Sequence, residues 1–75
     1  MNGAVTVPVH DLSHGDFFTY AGRSGQVLSV TRPRTDWPFV GPVREWDVEY
    51  VEEPGPDAAV LRVRIPAETN VEAWS

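Results

Sequence analysis

Proline and glycine interrupt this chain so often that a long helix has no room to form. Seven prolines and six glycines are spread over 75 residues, and no window of 11 residues keeps apolar side chains at the spacing of an amphipathic helix. Short runs rich in β-branched and aromatic residues recur instead, with turn residues between them. The pattern predicts an all-β fold, a small antiparallel barrel of five to six strands, formed as a single domain by residues 1–75.

Six runs are candidate strands. They are residues 4–9, 17–21, 26–31, 44–51, 60–65 and 71–74. Pro8 has no backbone N–H to donate, which places the first run at a sheet edge or at a strand end. Residues 33–42 contain three prolines and a glycine, and we expect them to form a loop. We expect residues 66–70 to form one short 3-10 turn.

The second and third runs predict a hairpin. Residues 22–25 read Gly-Arg-Ser-Gly, which indicates a tight turn centred on Arg23 and Ser24. Both faces of this hairpin carry apolar residues, so the pattern leaves open which face is buried, and a bulge near Gln26 also stays open. The cross-strand pairs that this turn predicts are Phe17–Val30, Phe18–Ser29, Thr19–Leu28 and Tyr20–Val27.

The fourth and fifth runs predict a hairpin with one register. Their apolar and charged residues alternate, and pairing Asp47 with Arg64 also brings Glu49 opposite Arg62. We expect these charges, with Glu45, to face solvent, because a slip by one residue would turn the arginines toward the core. On the core side the predicted pairs are Trp46–Ile65, Val48–Val63 and Tyr50–Leu61.

Charge and composition narrow the classes of function. The net charge is −5, and all six basic residues are arginines. An acidic domain repels the phosphate backbone that supplies most non-specific nucleic-acid affinity. With no cysteine, disulfides and thiolate zinc sites are excluded. The lysine-free composition, rich in Val, Ala, Gly and Pro, resembles that of proteins from high-GC genomes, such as an actinobacterium or one of its phages.

Residues 1–9 have no basic region and no apolar run of signal-peptide length, and the sequence has no apolar run near 18 residues. We therefore expect a cytoplasmic protein that does not span a membrane and carries no cofactor.

Residues 11–30 resemble the opening of small SH3-like barrels. The shared pattern is Leu12-Ser13-His14-Gly15-Asp16, then a strand, a glycine turn and a valine-rich strand. It is similar in particular to the N-terminal KOW-type domain of translation elongation factor P. The resemblance implies an SH3-like fold. The elongation factor carries a basic, lysine-containing loop after the second of these strands, whereas residues 33–39 here have no lysine, so the role in translation is not carried over.

Two histidines and two aspartates lie within seven residues. His10, Asp11, His14 and Asp16 are residue types that bind divalent metals, and Asp16 with His14 is a possible general-base pair. Gly15 and the turn-like context argue against the helical face that the His-x3-His spacing needs. Asp11 or Ser13 as a turn-capping side chain is the simpler interpretation. We do not expect an enzyme, because so small a domain offers no deep pocket.

The loop over residues 34–40 is the main candidate contact surface. Trp and Arg are enriched at binding hot spots, and Trp37 is either a lid over the barrel or a contact residue. One of Phe17 and Phe18 must point away from the core of a regular strand, and the outward ring adds to an apolar patch. The predicted partner-binding residues are Arg34, Asp36, Trp37, Phe39, Phe18 and Tyr20.

These observations predict a non-enzymatic protein-interaction module that binds a protein partner or a second copy of itself. The composition suggests a phage or mobile-element accessory protein that modulates a host protein. One alternative is a nucleic-acid-associated barrel like the KOW domains. Another is a small metal-dependent protein that uses His10, His14 and Asp16.

Overall fold

A computed structural model describes residues 3–33 and 41–75. Within these residues the chain forms six β-strands and one 3-10 helix, and no α-helix occurs. In chain order the elements are β1 (Val5–Pro8), the 3-10 helix (Val9–Asp11), β2 (Phe17–Tyr20), β3 (Arg23–Thr31), β4 (Glu45–Val51), β5 (Leu61–Pro66) and β6 (Asn70–Trp74).

The six strands form a single antiparallel sheet in the order β1-β6-β2-β3-β4-β5. The long strand β3 joins its two halves, because residues 23–26 pair with β2 and residues 26–31 pair with β4. The sheet curls around one core, but among the described residues β1 and β5 do not pair with each other. The prediction of a small all-β, barrel-like domain is confirmed.

The 3-10 helix at Val9–Asp11, directly after β1, was not predicted. Residues 66–70 make the single short turn predicted between β5 and β6. In it the amide of Thr69 donates to the carbonyl of Pro66, three residues earlier, at 3.0 Å, which is the hydrogen-bond pattern of a 3-10 turn. Pro66 ends β5 and Asn70 begins β6.

The β4–β5 hairpin has the predicted register. Asp47 pairs with Arg64, Glu49 with Arg62, and the three predicted apolar pairs face one another on the other side. One detail of the prediction is wrong, because Asp47 is only 6% exposed rather than solvated.

The β2–β3 hairpin has a different register from the predicted one. Tyr20 pairs with Arg23 rather than with Val27, so the two-residue turn is Ala21-Gly22. Both turn residues have positive φ, 50° and 81°, as a type I′ turn requires.

Gly25, which the sequence places in a turn, lies inside β3. A Cβ atom there would overlap the carbonyl oxygen of Val51 and lie 2.7 Å from Cδ2 of Tyr50. The glycine therefore allows β3 and β4 to approach closely.

A bulge at Leu28 changes which side of β3 faces the core. The register with β4 shifts between Val27 and Ser29, which leaves Leu28 as the extra residue. Before the bulge Val27 faces the core, and after it Val30 packs against the core while Ser29 faces outward to Glu49.

The core is one cluster between the two halves of the sheet. At its centre the rings of Phe18 and Tyr50 meet edge to face, with centroids 5.2 Å apart, a geometry that aromatic pairs favour. The buried apolar residues of the cluster are Val9, Leu12, Phe18, Val27, Val48, Tyr50, Ile65, Val71 and Ala73.

Candidate functional site

Four of the six predicted partner-binding residues lie outside the described part of the chain. Arg34, Asp36, Trp37 and Phe39 all belong to residues 34–40. The two interpretations of Trp37, lid or contact residue, therefore stay predictions.

The other two residues are turned toward the interior. Phe18 has no exposed surface, so the prediction that its ring contacts a partner is wrong for the folded domain. Its cross-strand neighbours are Gly25 on β3 and Ala73 on β6. Tyr20, two residues further along β2, is partly buried and packs against the same core. The core side of β2 is thus the side of Phe18 and Tyr20.

Phe17 is the outward ring of the pair. It is paired with Trp74 on β6, and the two rings stack with centroids 6.1 Å apart and planes 11° from parallel. Both side chains are partly exposed. Phe17 and Trp74, called the aromatic stack from here on, form an apolar feature on the outer face of the β6–β2 half of the sheet.

A small groove lies beside the aromatic stack, where β1 begins and β6 ends. Its volume is about 140 Å³, enough for one side chain. Val5 in this groove is 57% exposed, although it lies on the core side of β1 opposite the buried Ala73. The groove is lined by Val5, Val7, Ala73, Trp74, Ser75, Asp11 and Asp16, and we call it the β1 groove.

The histidines and aspartates of residues 10–16 do not converge on one point. Asp16 caps a turn, where its Oδ2 accepts a hydrogen bond from the Ser13 amide at 3.0 Å. His10 Nε2 lies 3.4 Å from Asp11 Oδ1 on the surface, and its ring lies 6.4 Å from that of Trp46. Within residues 3–33 and 41–75, no three His, Asp or Glu side chains are grouped as metal ligands.

The acids of β4 are engaged by arginines. Arg64 Nε donates to Asp47 Oδ1 at 2.9 Å, and this hydrogen bond raises the pKa of Arg64 above its usual value. Glu49 accepts hydrogen bonds from Arg62 and from the Ser29 hydroxyl, both at 3.0 Å. These two bonds, that of Arg62 first, lower the pKa of Glu49 below its usual value. The outer face of β3, β4 and β5 is therefore a charge-paired surface rather than an open acidic one.

A larger hollow lies against the loop between β4 and β5. Its volume is about 720 Å³, and Glu52, Glu53 and Asp57 are among its lining residues. The carboxylates of the hollow disfavour phosphate-bearing ligands.

At the start of β3, Arg23 Nη1 donates to the Tyr50 hydroxyl at 3.2 Å, and this bond raises the pKa of Arg23.

Comparison with family models, curated proteins and solved structures found no match to this chain. Among the described residues there is also no helix with the length and apolarity needed to cross a membrane.

Proposed function

We propose that this domain is a non-enzymatic interaction module that binds a protein partner through the aromatic stack together with the loop over residues 34–40. The observation that carries the proposal is the outward stack of Phe17 and Trp74. A domain of 8.3 kDa gains stability from every large ring that it buries, so two rings left partly exposed on one outer face favour a contact role.

The residue types at this surface support the proposal. Aromatic side chains, tryptophan above all, are enriched among residues that dominate binding energy, and they cluster rather than lie scattered. Trp37 and Phe39 are the aromatic residues that the sequence predicts as contact residues in the loop over residues 34–40. The proposed contact surface includes Phe17 and not Phe18, because Phe18 is buried in the core.

Affinity capture with purified variants tests the proposal. Phe17→Ser and Trp37→Ala should each lose the partners that the wild-type domain retains from a host extract. Val60→Ser is the matched control, since Val60 is also a large exposed apolar residue, 58% exposed, but lies in the loop before β5. Near-ultraviolet circular dichroism checks that each variant is folded.

Binding is then measured by calorimetry with the purified partner. A loss with Phe17→Ser and Trp37→Ala, but not with Val60→Ser, supports the proposal. Identical partner lists for all four proteins refute it. If the domain itself is the partner, light scattering shows a dimer that the same two variants dissociate.

A further inference from the structure

The two edge strands of the sheet differ in how they are protected. β5 carries Arg62 and Arg64, and charged side chains on an edge strand discourage pairing with another chain. β1 reads Val-Thr-Val-Pro and carries no charge. Only Pro8, at its end, blunts this edge. Among the described residues, no strand pairs with the outer edge of β1.

The hydrogen bonds of β1 determine which backbone groups face outward. The amide of Val9 donates to the carbonyl of Thr69 at 3.2 Å, next to the last pair of the β1–β6 ladder. Hydrogen-bonded pairs alternate along an antiparallel ladder, so Val7 and Val5 also bond toward β6. Thr6 therefore presents both its N–H and its C=O to the free edge. An incoming strand can bond to both.

The β1 groove adds a side-chain site next to this edge. Val5 and Trp74 give the groove apolar lining, and Asp11 and Asp16 are acidic residues of the same lining. Asp11 also lies beside His10, and Asp16 accepts a hydrogen bond from the Ser13 amide. An arginine or lysine fits this combination, because its alkyl stem covers apolar surface while its charged end reaches acids.

The charges argue against a second copy of the chain as the occupant. Residues 1–9, which include β1, contain no basic residue, and the whole chain has a net charge of −5. A second copy of β1 laid along this edge would supply no cation to Asp11 and Asp16. It would also bring two acidic domains together.

We propose that the free edge of β1 receives an extended segment of a protein partner by strand addition, and that a basic residue of this segment occupies the β1 groove. Backbone hydrogen bonds to Thr6 supply affinity and the groove supplies specificity, as in other cases of strand addition. This inference rests on the proposed function, because the β1 groove and the aromatic stack share Trp74.

A defined peptide tests the inference without knowledge of the natural partner. The probe is a capped hexapeptide of alternating valine and threonine with one arginine at its start, and its match has glutamate in place of the arginine. Titrated into ¹⁵N-labelled domain, the arginine peptide should shift the amide resonances of Thr6 and Val7. The glutamate peptide should bind more weakly, by up to about fivefold in Kd, since an exposed ion pair is worth up to about 1 kcal/mol.

Three variants locate the contact. Thr6→Pro removes the outward N–H but leaves the hydrogen bonds between β1 and β6 in place, and it should abolish peptide binding. Thr6→Val keeps the N–H and should bind the peptide as the wild type does. Asp11→Asn should reduce the preference for arginine over glutamate. Asp16 is left unchanged because it caps the turn at Ser13.

The inference is overturned if the peptide shifts no resonance of β1, or if Thr6→Pro binds it as well as Thr6→Val. A dimer of the free domain that Thr6→Pro dissociates also overturns it, in favour of a second copy. These failures differ from failure of the proposed function. Loss of the captured partner with Phe17→Ser leaves that function supported even when no peptide binds β1.

Discussion

The β4–β5 hairpin and the β2–β3 hairpin hold their registers by different means. In β4–β5, opposite charges pair on one side and apolar residues on the other. In β2–β3 the backbone decides, because the turn needs positive φ at Ala21 and Gly22. Gly25, which pairs with Phe18, must also lack a side chain because β4 lies against it. The first kind of register is specified by many weak contacts, and the second by a few positions that tolerate little change.

The sharpest test of this difference adds one methyl group to each hairpin. Gly25→Ala should lower the free energy of unfolding by about 3 kcal/mol, since the new Cβ meets the rigid backbone of Val51. Gly55→Ala, in the β4–β5 loop, meets no atom within 4 Å and should change stability by no more than about 0.5 kcal/mol. Urea unfolding measures both. Equal losses of unfolding free energy in the two variants would contradict the requirement for a glycine at position 25.

The second test compares the two ion pairs of β4–β5. Arg64→Ala leaves the buried carboxylate of Asp47 without its cation, whereas Arg62→Ala frees the more exposed Glu49 to be solvated. We expect Arg64→Ala to lower the urea midpoint several-fold more than Arg62→Ala, because an uncompensated buried charge is costly. The reverse order would show that Asp47 is solvated after all.

The third test concerns the turn of β2–β3. Ala21→Asn should raise the free energy of unfolding by about 0.5–1 kcal/mol, because asparagine tolerates positive φ better than alanine and Asn-Gly favours a type I′ turn. With a turn at Arg23 and Ser24, the same change would lie in a strand and lower stability. Thermal unfolding of the variant thus distinguishes the two registers by sign.

The smallest expected effect is the pH dependence contributed by Glu49. Its pKa lies below its ordinary value of 4.5 in the folded domain, so its contribution to stability is fully present above that value. The contribution is lost as the pH falls through the folded pKa. Carboxyl NMR titration should show a larger rise of this pKa in Arg62→Ala than in Ser29→Ala, since the bond from Arg62 is the stronger cause. A larger rise in Ser29→Ala would reverse that ranking.

Much of the sheet follows from the sequence because its strands are short and bounded by turn residues. The register of β4–β5 is predictable for the same reason that it is stable, since charge and apolarity agree on it. The burial of Asp47 was missed, because alternation assigns a side chain to a face but does not say what covers that face.

The register of β2–β3 was not predicted because a glycine in a sequence can indicate either a turn or a close contact between strands. Gly22 lies in a turn and Gly25 in a close strand contact, and only the position of Tyr50 and Val51 in the folded domain separates them. The register does not decide between Phe17 and Phe18, because the predicted and observed registers differ by four residues and leave Phe18 on the same face. The pairing of Phe17 with Trp74 joins residues 57 positions apart, and no local pattern indicates it.

The bulge at Leu28 acts on the chain as a one-letter insertion acts on a reading frame. Upstream of it the odd-numbered residues of β3 face inward, and downstream the even-numbered ones do. The alternation of inward and outward side chains therefore changes phase at Leu28. Over the whole of β3 the apolar residues fall on both faces in the sequence pattern, although each half of the strand alternates regularly. Deleting Leu28 would restore regular alternation along the strand, with Val27 and Val30 still facing the core and Ser29 still facing outward.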